Sequence, residues 1–191
     1  KGDMDGAIAA CRLAIALVPE DAEAHSILGL ALHVKGDMDG AIAAYDHALE
    51  IEPCYWVARR FKGDALVALN DEYEALYEYE YVVRRYPSSP SFTTASAREY
   101  DIAVQYAHGM RRKLWGLRIV DASEEAEEIF IRIQERLPGS QLAEQAGLQL
   151  ADLYFRQRRM GLNDGPRFQW NDGWRCEYAT RFKWSWSARR R

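Results

Sequence analysis

Side chains able to do chemistry are present in this chain, but their spacing does not assemble a reaction centre. His25, His33, His47 and His108 form no HExxH pair, and Cys11, Cys54 and Cys176 form no CxxC pair. A zinc site gathers its ligands from paired spacings of that kind, so no metal is expected. The odd number of cysteines argues against a disulfide framework and leaves the redox compartment open. A serine nucleophile would need a strained GxSxG elbow, and a phosphate cradle would need a Walker loop or GxGxxG; none occurs. No cofactor is expected. The carboxylates Glu124-Glu125 and Glu127-Glu128 open a helical pattern, where negative charge suits the free N–H groups of the first turn. In "DEYEALYEYEYVVRRYP", Tyr79 and Val82 fall on an inward face, and Glu74, Glu78 and Glu80 on a solvated one. A cation cage of tyrosines is the alternative there. The chain is not expected to be an enzyme.

The elements that would position these residues follow from a repeat. "KGDMDGAIAA" occurs at Lys1 and again at Lys35, 34 residues later, and Pro19, Pro53 and Pro87 keep the same interval. Each proline closes an apolar helical pattern where a helix must stop. A period of 34 marks a unit of two helices that buries its apolar faces only by stacking on its neighbours. In the unit at 22–53, Gly29 and Ala41 are small enough to let the two helices approach closely. Leu28, Leu32, Tyr45 and Leu49 fill the surrounding space, and Gly36-Asp37 makes the turn. The next unit repeats this skeleton with Gly63, Ala75 and Tyr79, and with Asn70-Asp71 at the turn. Residues 3–18 supply only a second helix, with Cys11 in the slot of Tyr45, read as a small buried core residue. Pro138 lies 51 residues after Pro87, one period plus 17. Ala126 and Phe130 then mark a regular second helix. Its partner spans 91–108, with Ala97, Tyr100 and Ala103 on one face. A final first-type helix packs through Ala143, Ala146, Gly147, Leu150 and Tyr154.

This unit resembles the tetratricopeptide repeat (TPR) family. His25 stands in the first aromatic slot, Leu28-Gly29 supply the Leu-Gly pair, Leu32 replaces the tyrosine, and Ala41, Tyr45 and Pro53 complete the pattern. The expected fold is all-α, an α-solenoid of helix-turn-helix repeats with about eight helices and an irregular C-terminal tail. The solenoid is assigned to residues 1–159. It comprises a half-repeat 2–19, repeats 20–53 and 54–87, and a repeat 88–138 with a 17-residue insertion near 109–121. A final first helix at 140–158 completes it. Residues 160–191 are a basic aromatic tail. Within 73–158, Tyr86-Pro87-Ser88-Ser89-Pro90 and Pro138-Gly139-Ser140 resemble BamD-type outer-membrane assembly lipoproteins. That resemblance implies a periplasmic, outer-membrane-associated place in envelope assembly.

The family resemblance also implies that protein segments bind in a concave groove lined by the first helices. There the chain would present Ser26, Leu30, His33 and Val34, then Val57, Arg60, Phe61, Asp64 and Val67. The best-known family members grip a peptide carboxylate with Lys and Asn. The matching slots here hold Ser26, Leu30, Val57 and Phe61, so that clamp is absent, and an apolar groove with one Arg suits a hydrophobic or helical segment. Alternatively, Leu30, Val57 and Phe61 are covered by a neighbouring repeat. The long insertion loop offers a second candidate site in Arg111, Arg112, Trp115 and Arg118, because Trp and Arg are preferred interface anchors. Equally, Trp115 folds back to seal the loop.

Net charge is −4 overall, but residues 160–191 carry +4, leaving the remainder at −8. An acidic body argues against a phosphate-backbone binder, so no nucleic acid is expected. The tail holds Trp170, Trp174, Trp184 and Trp186. It reads either as a membrane-surface or anionic-partner segment, or as an interrupted repeat left unpacked. No run of 18 apolar residues is present, so membrane contact is expected to be indirect or through the tail. The N-terminal Lys1 and the missing half of the first repeat suggest a fragment. The expected function is a non-catalytic TPR scaffold for protein–protein interaction, BamD-like in its specific form. The alternative is a TPR recruitment region of a longer enzyme or regulatory protein.

Overall fold

The computed structural model describes residues 4–114 and 116–159. Eight helices and one short hairpin follow in order: α1 Met4–Leu17, α2 Ala22–Lys35, α3 Met38–Ile51, α4 Trp56–Ala68, α5 Glu72–Arg85, α6 Ser91–Ala107, β1 Arg112–Leu114, β2 Leu117–Val120, α7 Ser123–Arg136 and α8 Gln141–Arg159. The chain divides into the units Lys1–Leu153 and Tyr154–Arg191. The packing below belongs to the first unit. From α1 to α7, each helix packs on the next. The core runs along the seam in two clusters. One joins α1 to α4 around Tyr45, and the other extends from α4 onward around Tyr79, Tyr106 and Phe130.

The helices stop for local reasons that recur with the repeat. At the end of α2, Gly36 takes φ +96°, and Asp37 N–H donates to the Leu32 carbonyl, six residues round the turn. One period later Asn70 takes φ +58°, and Asp71 N–H donates to the Leu66 carbonyl. Only Gly, or at small cost Asn, closes a helix in this left-handed way. The end of α6 closes likewise, with Gly109 at φ +94° and Met110 N–H on the Gln105 carbonyl. The second-type helices end differently. Glu52, Tyr86 and Leu137 each precede a proline and adopt φ near −127°, −130° and −125°. The following ring disfavours the helical region at that position.

The structure corrects several details of the sequence reading. The close contact of Gly29 is with an aromatic ring rather than with Ala41. A Cβ on Gly29 would lie 2.6 Å from the Tyr45 ring, and one on Gly63 would lie 2.6 Å from the Tyr79 ring. The packed face of α6 is Ala95, Glu99, Ile102, Ala103 and Tyr106, so Ala103 is buried as expected, while Ala97 and Tyr100 are only half-buried. Cys11 is half-buried instead of a core residue. Glu78 is buried, because Arg59 (2.9 Å) and Lys62 (2.9 Å) neutralise it there, and Glu80 is half-buried. The insertion is not an irregular loop but an antiparallel hairpin pairing Arg112 with Val120, Lys113 with Arg118 and Leu114 with Leu117. Among the described residues, no helix is long and apolar enough to cross a membrane.

Candidate functional site

The first-type helices α2, α4 and α6 lie side by side, α4 touching both neighbours. On α2, Glu23, Ile27, Leu30 and Val34 form one exposed stripe at helical spacing. Ile27, Leu30 and Val34 are 49%, 38% and 64% exposed, high values for apolar side chains. One period on, α4 carries Val57, Phe61 and Asp64 in the same register, all half-buried. Phe61 is stacked on Tyr45, and the Arg60 guanidinium lies 3.6 Å from the Phe61 ring centre.

Asp64 is the polar hub of this face. Its Oδ1 accepts from Tyr79 Oη (2.8 Å) and Arg98 Nε (3.1 Å), and its Oδ2 accepts from Arg60 Nη1 (3.0 Å). Burial first, and then the Asp64 carboxylate, hold the Tyr79 hydroxyl well above its ordinary pKa. Asp64 and Arg98 are one period apart and bridge α4 to α6. In the preceding repeat Leu30 takes the place of Asp64. The buried hydroxyl of Tyr45 accordingly has no hydrogen-bond partner among the described residues.

The predicted groove residues are not equivalent in the structure. Ser26 is buried, so it presents nothing outward. His33 is half-buried. Leu30 is exposed, and Val57, Arg60, Phe61 and Asp64 share the α4 surface. Two contributors escaped the sequence reading, Ile27 and Arg98. Both were accessible to it, since Ile27 lies 34 residues before Phe61 and Arg98 lies 34 after Asp64.

The insertion candidates are brought together, but their charges turn inward. Arg118 donates to Glu72 Oε1 (2.7 Å) and to the carbonyls of Asn70 (3.3 Å) and Arg111 (3.0 Å). Arg112 pairs with Glu125 (3.1 Å) and lies over the Tyr73 ring at 4.5 Å. These two cations pin the hairpin against α5 and α7 and are not free partner anchors. Arg111 is exposed, as are Leu117 and Ile119. Trp115 lies outside the described residues, as does the tail from 160 to 191.

A second network, half-buried around the buried Glu99, joins α5, α6 and α7. Glu80 accepts from Arg136 (2.7 Å), Arg132 lies 3.6 Å away, and Arg136 reaches Glu99 at 3.4 Å. Burial and the neighbouring Glu80 charge push the Glu99 carboxyl up to about 8, against the pull of Arg136. Among the described residues, no group of three or more His, Cys, Asp and Glu side chains could hold a metal ion.

Residues 1–54 match the family model described as "Tetratricopeptide repeat". Two solved structures match along most of their length. "Crystal structure of MamA" has a TM-score of 0.55 and 15% identity, covering 84% of this chain and 92% of that one. "MamA RS-1 ArsTM double mutant" has a TM-score of 0.55 and 18% identity, covering 82% and 88%. The fold is a tetratricopeptide-type helical repeat. No curated protein matches the chain. In this tetratricopeptide-type fold, the α2–α4–α6 surface is the face formed by the first helix of each repeat.

Proposed function

We propose that the chain is a non-catalytic scaffold that binds protein segments on the α2–α4–α6 face. The exposed stripe of Ile27, Leu30 and Val34 supports this reading most directly. Burying a fully exposed side chain of this kind is worth about 1.5–3 kcal/mol, and with about half of each still uncovered, roughly half of that gain remains for a partner that covers the stripe. The tetratricopeptide match over residues 1–54 agrees with an interaction role. A peptide-display selection tests the proposal. Peptides recovered on the parent chain should lose binding to a Leu30→Asp/Val34→Asp variant that melts at the parent temperature. Selected peptides that ignore both changes would overturn it.

The more specific form is a BamD-like component of outer-membrane protein assembly, placed in the periplasm. It is supported by the Tyr86–Pro90 and Pro138–Ser140 segments, at the α5–α6 and α7–α8 junctions. Cell fractionation of the protein as expressed from its gene tests it, since recovery away from the envelope excludes this form.

A further inference from the structure

Two histidines 22 residues apart in the sequence meet where the first turns of α2 lie beside the last turns of α3. We infer that His25 and His47 form a two-imidazole site for a late first-row divalent cation such as Zn²⁺, with water completing its coordination. The familiar metal motifs place paired ligands a few residues apart on one element, whereas this pair comes from two helices.

Hydrogen bonding fixes the tautomer of each ring. His47 Nδ1 lies 3.1 Å from Glu50 Oε2, and His25 Nε2 lies 3.1 Å from the Pro19 carbonyl oxygen. A carboxylate and a carbonyl only accept, so both of these nitrogens carry the proton and donate it. The opposite nitrogens, His25 Nδ1 and His47 Nε2, keep their lone pairs, and neither has a hydrogen-bond partner among the described residues. A carbonyl or carboxylate behind the ring is what orients a metal-binding histidine. Here Glu50 and the Pro19 carbonyl are the positioning groups.

The separation of the rings suits one shared ion. Their centres are 5.7 Å apart, with the planes tilted by 44°. A Zn²⁺ bound to an imidazole nitrogen stands about 3.2 Å from that ring's centre, so two rings can share an ion up to roughly 6.4 Å apart. Both rings line one cleft of about 380 Å³. A water takes about 30 Å³, which leaves room for the ion and its remaining shell. Glu20 and Glu50 make the lining negative, and no Lys or Arg contributes to it. A cleft of one sign concentrates ions of the other. Imidazole ligands select Zn²⁺, Cu²⁺ or Ni²⁺ over Mg²⁺ and Ca²⁺. The protein supplies two ligands, in keeping with the lack of any three-ligand group among the described residues. The ion would staple α2 to α3.

Zn²⁺ alone is the probe, added to the full chain. Proton–nitrogen correlation spectra of the imidazoles report which nitrogen of each histidine carries a proton or a metal. Before addition, His47 should be protonated at Nδ1 and His25 at Nε2. Zn²⁺ should then shift His25 Nδ1 and His47 Nε2 together, at one ion per chain, and leave His33 and His108 unmoved. By calorimetry, His25→Ala and His47→Ala should each weaken binding at least about tenfold, and His108→Ala should not. Zn²⁺ should also raise the melting temperature of the parent chain and of neither His25→Ala nor His47→Ala, because an ion held only by the folded state stabilises it. Glu50→Ala should weaken binding about tenfold and mix the tautomers of His47, a change that a merely structural role would not produce. A shift at only one of the two rings, unchanged affinity in both alanine variants, or no binding at millimolar Zn²⁺ would overturn the site. The parent spectra decide this even where a variant fails to fold.

Discussion

At the scale of single residues, the repeat is specified by glycine paired with tyrosine. Gly29 and Gly63 are small because the Tyr45 and Tyr79 rings occupy the space of a side chain. Those rings are fully buried and cannot swing away. Gly147 in α8 is different, since a Cβ there would meet only the end of the Gln134 side chain, with Oε1 at 3.5 Å. The same substitution should therefore have opposite signs. Gly29→Ala should cost about 1–3 kcal/mol through overpacking. Gly147→Ala should gain about 0.5–1 kcal/mol, because alanine is the better helix former. Urea denaturation of both variants checks this, and equal effects would mean that the slot assignment is wrong. Glu99 supplies a pH signature. Its carboxyl is raised to about 8 in the folded state, above the ordinary 4.5. The folded protein therefore holds a proton that the unfolded chain has released. Stability from this group is complete below pH 4.5 and is lost as pH rises through about 8. Glu80 is held below its ordinary value despite the opposing effect of burial, because Arg136 and Arg132 favour its charged form. Its contribution is lost in acid instead. Glu99→Gln should flatten the decline in stability between pH 5 and pH 8.5, roughly the interval between the two states of that carboxyl. A variant that declines as steeply as the parent would show that Glu99 is already ionised at neutral pH.

At the scale of elements, the insertion is the departure from regularity. The α6 helix closes with the same turn as α2 and α4, but the chain then enters the β1–β2 hairpin before reaching α7. Arg118 fixes the hairpin to Glu72, which is only 4% exposed. Removing one member of a buried pair leaves the other uncompensated, whereas replacing both is often nearly neutral. Arg118→Ala should cost about 1–3 kcal/mol and speed amide exchange across residues 112–120. The double change Arg118→Met/Glu72→Gln should recover most of the stability. A double variant no better than the single one would mean that hairpin packing, not the stranded charge, dominates.

At the scale of the whole first unit, stability is close to a sum over neighbouring helices. The sum is uneven along the chain. In α1 only Ile8 is buried, and Leu13 and Leu17 are 68% and 83% exposed. In α5 six residues are buried, and its ion pairs reach α4, α7 and the hairpin. Hydrogen exchange should therefore form a gradient. The amides of α1 should open first through local fraying, and those of α5 should approach the global unfolding limit. Protection of α1 as strong as that of α5 would reveal that another molecule covers its open face.

The repeat itself was legible without coordinates. A decapeptide, three prolines and the small-residue slots share one interval, and a helical pair of that length has few ways to bury its apolar side. The turn residues Gly36 and Asn70 also follow from sequence, because a left-handed helix end is a property of the local backbone. Pairings between distant positions did not follow. The burial of Glu78 and Glu99 depends on which cations α4 and α7 bring alongside, and a helical wheel shows only that such residues lie near a boundary. The inward turn of Arg112 and Arg118 depends on the hairpin docking against α5 and α7. The hub at Asp64 needs three helices at once: Arg60 on its own helix, Tyr79 on the next, and Arg98 one period away. Periodicity fixes which residues share a face, since it reports the geometry of one helix. Only the packed tertiary structure decides which charges on neighbouring faces meet, because that depends on ångström-scale separations between elements far apart in the chain.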